Sequence, residues 1–209
     1  MYKLAKRCLD CILAGCAILV LWPLFLLIAV GVRVSSDGPA IYKGLRTGLN
    51  DTDFYIFKFR TMVVNAESLG GPSTAENDPR FTRLGKMLRA TKLDELPQFF
   101  NVLFGDMALV GPRPQVRFYT DKYSANERKI LTVRPGITDL ASLYFSDMDK
   151  ALGDGDVDLV YMKKIEPLKN KLRLRYVEEA SMMLDVRIII ETAFTIIGIK
   201  NITKLNLIP

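Results

Sequence analysis

An uncharged apolar run near the start of the chain limits the available folds more than any other feature of the sequence. The run extends from Cys11 to Val32 and contains no Asp, Glu, Lys or Arg. As a straight helix rising about 1.5 Å per residue, it would be about 33 Å long, which is enough to cross the hydrocarbon core of a bilayer. The sequence therefore predicts a membrane-bound protein.

Two features bear on whether this segment spans the membrane or only enters it. Pro23 lies in the middle of the run, where it removes a backbone donor and clashes with the carbonyl of Leu19, so the helix should kink. Basic residues flank both ends of the run: Lys3, Lys6, Arg7, Arg33, Lys43 and Arg46. This leaves no charge asymmetry to orient a span. We expect a re-entrant helix-break-helix over residues 1–34, with a kinked spanning helix as the alternative, because proline also occurs in true spans.

The composition limits which partners and which catalytic side chains the chain can use. The chain has 209 residues, 49% of them hydrophobic, a net charge of +6 and no histidine. The positive charge suits an anionic partner such as lipid headgroups, a phosphorylated substrate or nucleic acid. Without histidine, a reaction would have to use carboxylates, Lys, Arg, hydroxyl groups or a bound metal. The cysteines, Cys8, Cys11 and Cys16, all lie at the edge of the apolar run, so the rest of the chain has no disulfide framework.

Residue patterns beyond the apolar run predict the first elements of a compact domain. Two β-prone runs, Ala40–Lys43 and Phe54–Phe59, predict a β-hairpin. Helical spacing over Phe81–Ala90 puts Leu84, Met87 and Leu88 on one face. A short buried helix is expected over Leu96–Leu103, ending at Gly105. An irregular loop is expected over Glu67–Asp78.

The second half of the chain reads as mainly helical. Helices are expected over Gln115–Leu131 and Asp156–Ile199, the latter broken near Pro167, with a rigid turn over Arg134–Thr138 between them. The apolar end, Val186–Ile199, should lie on the membrane surface or pack against the anchor. The predicted fold class is therefore α+β and mostly helical. It combines the 1–34 anchor with a compact domain over 35–209 that carries a short β-hairpin and interfacial amphipathic helices.

Adjacent carboxylates, Asp94 and Glu95, stand at an expected helix start behind a cluster of cations. In a chain without histidine, an Asp nucleophile that takes up a phosphoryl group suits such a site best. A structural alternative is that Asp94 caps the helix and Glu95 is a first-turn acid, each contributing about 1 kcal/mol or less. Spacing alone leaves both explanations open.

A set of short blocks, running nearly end to end, resembles the small monotopic phosphoglycosyl transferases of the bacterial sugar transferase family. The matching blocks are Lys6-Arg7 with Asp10, Gly38-Pro39, Arg46 with Gly48, Phe57–Met62, Arg89 with Leu93–Gln98, Asn101–Leu103, Gly105–Met107, Gly111–Pro114 and Pro135–Thr138. This resemblance, rather than the spacing of any single pair, favours catalysis over helix capping for Asp94 and Glu95.

The resemblance implies an initiating enzyme of bacterial polysaccharide or glycoconjugate assembly. Such a protein transfers a sugar 1-phosphate from a nucleotide-diphosphate sugar, expected here to be a UDP-sugar, to polyprenyl (undecaprenyl) phosphate. It works at the cytosolic face of the bacterial inner membrane, in contact with phospholipid, so the resemblance implies that 35–209 is a cytosolic catalytic domain. No nucleic acid partner is expected, and homo-oligomerisation is left open.

Site residues follow from the matching positions. The resemblance implies that Asp94 is the nucleophile, while Glu95, together with Asp94, holds Mg²⁺, a hard cation that prefers oxygen ligands. Arg89 would bind phosphate oxygens. Lys58, Arg60 and Arg113 are further substrate-binding candidates, and Asp185 matches an acidic position near the site: each could instead serve structure, in a half-buried strand, a helix cap or a local ion pair.

The sequence also departs from the family pattern. Trp22 precedes Pro23 where a small hydroxyl residue is usual, and Asp139 follows Thr138 where glycine is usual. Leu143–Asp147 replaces a stretch that normally carries an arginine, so a cation such as Arg134 could take over phosphate or sugar recognition. A membrane-anchored basic module that binds lipid or nucleic acid is the competing class. It is disfavoured because stacking aromatics interleaved with cations are confined to Phe54–Arg60. A multi-spanning transferase is a further alternative, for which one apolar segment is too few.

Overall fold

The computed structural model describes residues 2–69, 78–145 and 161–199, together with residues 203 and 205. Within these residues the chain is mostly helical, as predicted, with two small two-stranded sheets. The helices are α1 Tyr2–Ser35, α2 Arg83–Ala90, α3 Gln98–Phe104, α4 Arg117–Thr120, α5 Leu140–Tyr144, α6 Glu166–Glu179 and α7 Met182–Ile196. The strands are β1 Ile41–Thr47, β2 Asp53–Phe59, β3 Ala108–Val110 and β4 Gly136–Thr138.

The apolar run lies within α1, the longest helix described. By length and composition, α1 could cross a membrane. The backbone stays helical through Pro23, so the expected helix-break-helix is a single helical element. The course of α1 through a membrane stays a prediction, as does the division of the chain at residue 34.

One side of α1 packs against the rest of the described chain. Arg7, in the second turn, donates to the carbonyls of Val102 and Leu103 in α3 at 2.6 and 3.1 Å. Phe25, beyond Pro23, meets the ring of Phe100 edge-on at 5.8 Å between ring centroids. The same short helix therefore contacts α1 before and after its proline. The opposite side of α1 is an exposed apolar surface.

The predicted β-hairpin is confirmed. Strands β1 and β2 pair antiparallel, with Ile41 opposite Phe59 and Thr47 opposite Asp53. Asn50 and Asp51 make the connection in the left-handed region, with φ of 54° and 64°. Asn and Asp tolerate this conformation better than most residues because their short polar side chains bond locally.

A second, parallel sheet takes the place of the expected rigid turn at Arg134–Thr138, where that prediction was wrong. In this sheet β3 pairs with β4, which is the Gly136–Thr138 part of the predicted turn. The two segments approach so closely that a Cβ on Gly136 would lie 2.1 Å from the backbone nitrogen of Gly111. Only glycine fits there. The sheet lies in the main core, which buries side chains from α3, β3, α5, α6 and α7.

The predicted helix over Gln115–Leu131 was also wrong. The chain forms only α4 and a 3₁₀ segment over Glu127–Thr132. Ser124 and Glu127 form a capping box, in which the Glu127 carboxylate accepts from the Ser124 backbone at 2.9 Å and the Ser124 hydroxyl accepts from the Glu127 backbone at 3.3 Å. This pairing starts a new turn instead of continuing the previous helix.

The other helix predictions need smaller corrections. The predicted break near Pro167 is confirmed: a π-helical stretch over Tyr161–Ile165 gives way to α6, which begins at Glu166 and has Pro167 in its first turn. A second break, which was not predicted, falls at Ala180–Ser181, where the Ser181 hydroxyl caps α7. In α2, Leu88 is buried, but Met87 is 53% exposed and does not share its face. Residues 156–160 and most of the expected loop at 67–78 lie outside the described residues.

Candidate active site

A sharp reversal of the chain presents Asp94 and Glu95. Helix α2 ends at Ala90, and Lys92 adopts a left-handed conformation with φ of 58°. The next residues, Leu93–Glu95, form one 3₁₀ turn that leads into α3. Non-glycine residues rarely hold this conformation unless the surrounding structure fixes it. The turn places both carboxylates between α2, α3 and the hairpin strand β2.

Asp94 does not cap a helix. It is 5% exposed, and its Oδ1 is buried without a hydrogen-bond partner among the described residues. Its Oδ2 lies 4.0 Å from the Lys58 ammonium. Burial raises the pKa of Asp94, and the charge of Lys58 opposes that rise. This oxygen is therefore closed off from solvent while its hydrogen-bonding capacity is unused by the described residues.

Glu95 is held by two cations through one of its oxygens. Its Oε1 accepts from Lys58 Nζ at 2.9 Å and from the Arg113 guanidinium. Burial acts to raise the pKa of Glu95, but the charges and hydrogen bonds of Arg113 and Lys58 outweigh it and hold the pKa well below its ordinary value. The carboxylate is therefore ionised and fixed in orientation.

The two cations come from distant parts of the chain. Lys58 is on β2, and burial lowers its pKa although Glu95 acts in the opposite direction. Arg113 follows β3 and donates to the Ile137 carbonyl in β4 at 2.8 Å. The Asp139 carboxylate accepts from the Arg113 backbone at 3.0 Å and from the Ser142 backbone at 2.6 Å, so it caps α5 as it holds Arg113 in place. The fold thus brings Lys58, Asp94, Glu95 and Arg113 together.

Arg89, another predicted phosphate ligand, lies farther from the carboxylates than Lys58 and Arg113 do. Its guanidinium lies over the Phe81 ring, 5.0 Å from the centroid. Its charge also acts to lower the pKa of Asp94, after the larger effects of burial, Lys58, Glu95 and Arg113. Arg89 therefore adds positive potential at the carboxylate pair without bonding to it.

Two predicted site residues take part in other networks. Arg60 is 8% exposed and donates to the carbonyls of Ser36, at 2.8 Å, and Asp37, so it fixes the turn after α1. Asp185 accepts from Tyr2 at 2.8 Å, Lys6 at 2.9 Å and Tyr176 at 2.7 Å. Among the described residues, no hydrogen bond or ion pair joins either of them to Asp94 or Glu95. Their substrate-binding roles stay predictions, whereas the bonds described give both residues a structural task.

The sequence did not predict a role for two buried residues, and it suggested a substrate-binding role for a cation that lies elsewhere. Asp139 appeared only as a departure from the family pattern, although an Asp before a short helix signals a cap. Gln98 was noted as part of a motif without a role, yet its amide is fully buried and has no hydrogen-bond partner among the described residues. Arg134, the suggested replacement cation, donates to the Gly105 carbonyl at 2.9 Å and lines a separate cavity of about 130 Å³ with Lys3, Lys6 and Arg7.

The donor set at the site suits a hard cation that is partly held by substrate. Among the described residues no group of three or more Asp, Glu or Cys side chains could hold a metal ion. The protein can offer a carboxylate oxygen of Asp94 and the Glu95 oxygen that does not bind the cations. Mg²⁺ is commonly bound by one or two carboxylates plus substrate phosphates. The residues present therefore fit such an ion.

Comparisons with known proteins agree on one family. The sequence profile described as bacterial sugar transferase matches residues 1–198. The chain is 39% identical over 203 residues to a UDP-glucose:undecaprenyl-phosphate glucose-1-phosphate transferase of Xanthomonas campestris pv. campestris, covering 95% of this chain and 40% of that protein. It is 36% identical to a UDP-N-acetylgalactosamine-undecaprenyl-phosphate N-acetylgalactosaminephosphotransferase of Aeromonas hydrophila, covering 94% of this chain and 44% of the relative. The chain thus spans less than half the length of these two relatives.

Proposed function

We propose, because this chain belongs to the bacterial sugar transferase family, that it transfers a sugar 1-phosphate from a UDP-sugar to undecaprenyl phosphate and so initiates polysaccharide or glycoconjugate assembly. The names of its relatives support both substrates. The observation that carries the proposal is the buried carboxylate pair, in which Asp94 keeps an unpaired oxygen while two cations hold Glu95. This geometry suits a two-step displacement at phosphorus.

In the first step the Asp94 carboxylate attacks the β-phosphorus of the donor. A bond forms between an Asp94 oxygen and phosphorus, and the bond from phosphorus to the bridging oxygen breaks, so that UMP leaves. In the second step an oxygen of undecaprenyl phosphate attacks the same phosphorus, and the Asp94 carboxylate leaves. Both nucleophiles are already anionic at neutral pH, so no general base is needed.

Repulsion between anions is the main barrier to this chemistry. Lys58 and Arg113, fixed by Glu95, supply positive charge at the site, and Arg89 adds to the potential. Oriented charges in a site closed to water stabilise a phosphoryl transition state because they need no reorganisation during the reaction. Glu95 and Asp94 would hold Mg²⁺, which supplies further charge neutralisation at the diphosphate when bound.

The test is to look for the covalent intermediate without acceptor. Wild type incubated with a UDP-sugar alone should gain the mass of one phosphosugar, in a bond that resists acid but yields to hydroxylamine. Kinetics with both substrates should be ping-pong. Asp94→Asn should lose turnover by orders of magnitude while remaining folded. Unmodified protein together with kinetics that require a ternary complex would instead favour direct transfer to the lipid.

The metal is tested separately. Activity should disappear on chelation and return with Mg²⁺ or Mn²⁺, and Glu95→Gln should weaken turnover and metal dependence together. Full activity in excess chelator would exclude the metal from the proposal. Glu95→Gln protein with unchanged metal dependence would leave Glu95 as a holder of the cations only.

We also propose that α1 is re-entrant and that the domain lies on the cytosolic face of the inner membrane. Support comes from α3, about 10 Å long for its seven residues, which contacts both Arg7 and Phe25 of α1. In a helix normal to the membrane, these two residues would lie near opposite faces. Exposed apolar residues at the end of α7, such as Ile196 at 63%, support contact of that helix with phospholipid.

A further inference from the structure

Buried polar atoms without partners cluster at the start of α3. They are Oδ1 of Asp94 and both amide atoms, Oε1 and Nε2, of Gln98, none of which has a hydrogen-bond partner among the described residues. Gln98 is 0% exposed. An unpaired buried polar group destabilises a fold, because it has lost its bonds to water without gaining bonds to protein. An amide at this position therefore lowers folding stability unless a group that binds later supplies the missing hydrogen-bond partner.

Backbone geometry brings Gln98 to Asp94. From Leu93 onwards the chain is helical almost without interruption, since Leu96 and Pro97, with φ of −51° and −61°, join the 3₁₀ turn to α3. Four residues of such a segment make little more than one turn. Asp94 and Gln98 are therefore about one turn apart along its axis.

Contacts with β2 locate that side of the segment. Asp94 lies 4.0 Å from Lys58 of β2, and Asn101, farther along α3, accepts from the Phe57 backbone at 2.9 Å. Gln98 lies between these two residues in sequence and is closed off from solvent. Its amide is thus enclosed between the helical segment and the strand, beside the carboxylate.

We propose that Gln98 is the positioning residue of the nucleophile, donating from Nε2 to Oδ1 of Asp94 when the donor substrate is bound, directly or through one buried water. This role rests on the proposed function. With Oδ1 held, Oδ2, on the side of Lys58, attacks phosphorus, and the bond to UMP breaks. Oδ1 becomes the acyl oxygen of the intermediate and still accepts from Gln98. When the lipid phosphate displaces Asp94, Gln98 stabilises the departing carboxylate.

Asn101 provides a matched control, because it is a buried amide in the same helix with its bonds already made. Its Oδ1 accepts from Phe57, and its Nδ2 donates to the Tyr55 carbonyl at 2.7 Å. Asn101→Leu should lower the unfolding temperature, since it leaves those strand groups unpaired. Gln98→Leu fills a similar volume and removes two unpaired polar atoms, so the unfolding temperature should stay the same or rise.

The experiment compares wild type, Gln98→Leu, Gln98→Met and Asn101→Leu as full-length protein. The first measurement is the rate of phosphosugar adduct formation by intact mass, with UDP-glucose and UDP-N-acetylgalactosamine each supplied without acceptor. Unfolding temperature, and kcat and KM for the donor that wild type uses, complete the comparison. For both Gln98 variants we expect the adduct rate and kcat to fall by up to about tenfold, because roughly one hydrogen bond in the transition state is lost. KM and unfolding temperature should be nearly unchanged.

The outcomes separate this inference from the proposed function. Wild type that forms the adduct while both Gln98 variants form it equally fast would overturn the role of Gln98 and leave the function intact. Slow Gln98 variants whose unfolding temperature falls as far as that of Asn101→Leu would also overturn it, because Gln98 would then be structural. If wild type forms no adduct with a donor that it turns over, the function and the inference fail together.

Discussion

Asp94 and Glu95 are neighbours in sequence, but their surroundings give the two charges opposite effects on stability. Burial raises the pKa of Asp94, so its charge at neutral pH costs folding free energy. Glu95, despite its burial, has a lowered pKa because Arg113 and Lys58 surround it, so its charge stabilises the fold at neutral pH. Removing the charge of Asp94 should therefore not lower folding stability, whereas removing the charge of Glu95 should.

We predict opposite stability changes for the two amide variants. Asp94→Asn should unfold at the same or a higher temperature than wild type at pH 7, since it removes a buried charge. Glu95→Gln should lose on the order of 3 kcal/mol, because it leaves two largely buried cations without a counter-charge. Thermal or denaturant unfolding in one detergent provides the measurement. Equal losses in both variants would mean that Asp94 is as firmly paired as Glu95.

At the residue scale, the sequence supported the carboxylates and the cations that contact them, but not the groups that hold those cations. Asp94 and Glu95 were recognisable because adjacent acids in a chain without histidine suit phosphoryl chemistry. Asp139 was not, because its partner Arg113 is 26 residues away and only the β3–β4 pairing brings them together. Arg60 shows the converse: a basic residue on a matching motif whose described bonds are to backbone carbonyls.

At the scale of elements, the parallel pair β3–β4 decides where Arg113 lies. A Cβ on Gly136 would come within 2.1 Å of the Gly111 nitrogen, and backbone atoms cannot move aside as a flexible side chain can. We predict that Gly136→Ala costs more than about 3 kcal/mol, at the severe end for single substitutions. Loss of soluble expression or a large fall in unfolding temperature would be the readout. Gly15→Ala, which meets nothing within 4 Å, is the control.

Helix α6 carries a lysine whose charge opposes folding. Burial, with the neighbouring charge of Arg173, lowers the pKa of Lys169 to about 7 from 10.5. Between these values the unfolded chain binds a proton that the folded chain does not, so stability rises with pH. Lys169→Met should therefore stabilise the protein most below pH 7, and the gain should shrink as the pH approaches 10.5.

Unfolding curves from about pH 6 to pH 10 would test this, since the effect follows from proton linkage. Lys171→Met, at an exposed position of the same helix, is the control and should give a small difference that changes little with pH. A Lys169→Met gain that stays constant over this range would mean that the lysine keeps its proton in the folded state.

Elements set by local chemistry were predicted better than those set by distant pairing. The hairpin and α3 followed from β-prone runs and from Gly105, which ends α3 with φ of 95°. The pair β3–β4 could not be predicted from either segment alone, because each is three residues long and its sheet pairing requires the other. The overlong helix at Gln115–Leu131 arose because apolar spacing outweighed the Ser124–Glu127 capping signal.

At the scale of the whole molecule, α1 connects its exposed apolar surface with the elements of the site. Ile28 and Val32, near its end, belong to the same buried cluster as Phe59 and Leu88, from β2 and α2. Arg7, near its start, bonds to α3, which follows Asp94 directly. The helix thus supports, from both of its ends, the elements that present Asp94. Under the proposed function, the position of α1 in the membrane would set the height of Asp94 relative to the lipid phosphate.

The last prediction is that both ends of α1 are cytosolic. In protein with Cys8, Cys11 and Cys16 replaced, single cysteines at positions 3 and 43 should react with a membrane-impermeant thiol reagent only when the reagent has access to the cytosolic side of the inner membrane. Pro23→Leu should restore a backbone donor and favour a straighter helix, so position 3 should become partly accessible from the periplasm and activity should fall with it. Periplasmic labelling at position 3 alone in the otherwise wild-type chain would establish a span. It would also require α3, which contacts both Arg7 and Phe25, to lie within the bilayer beside α1.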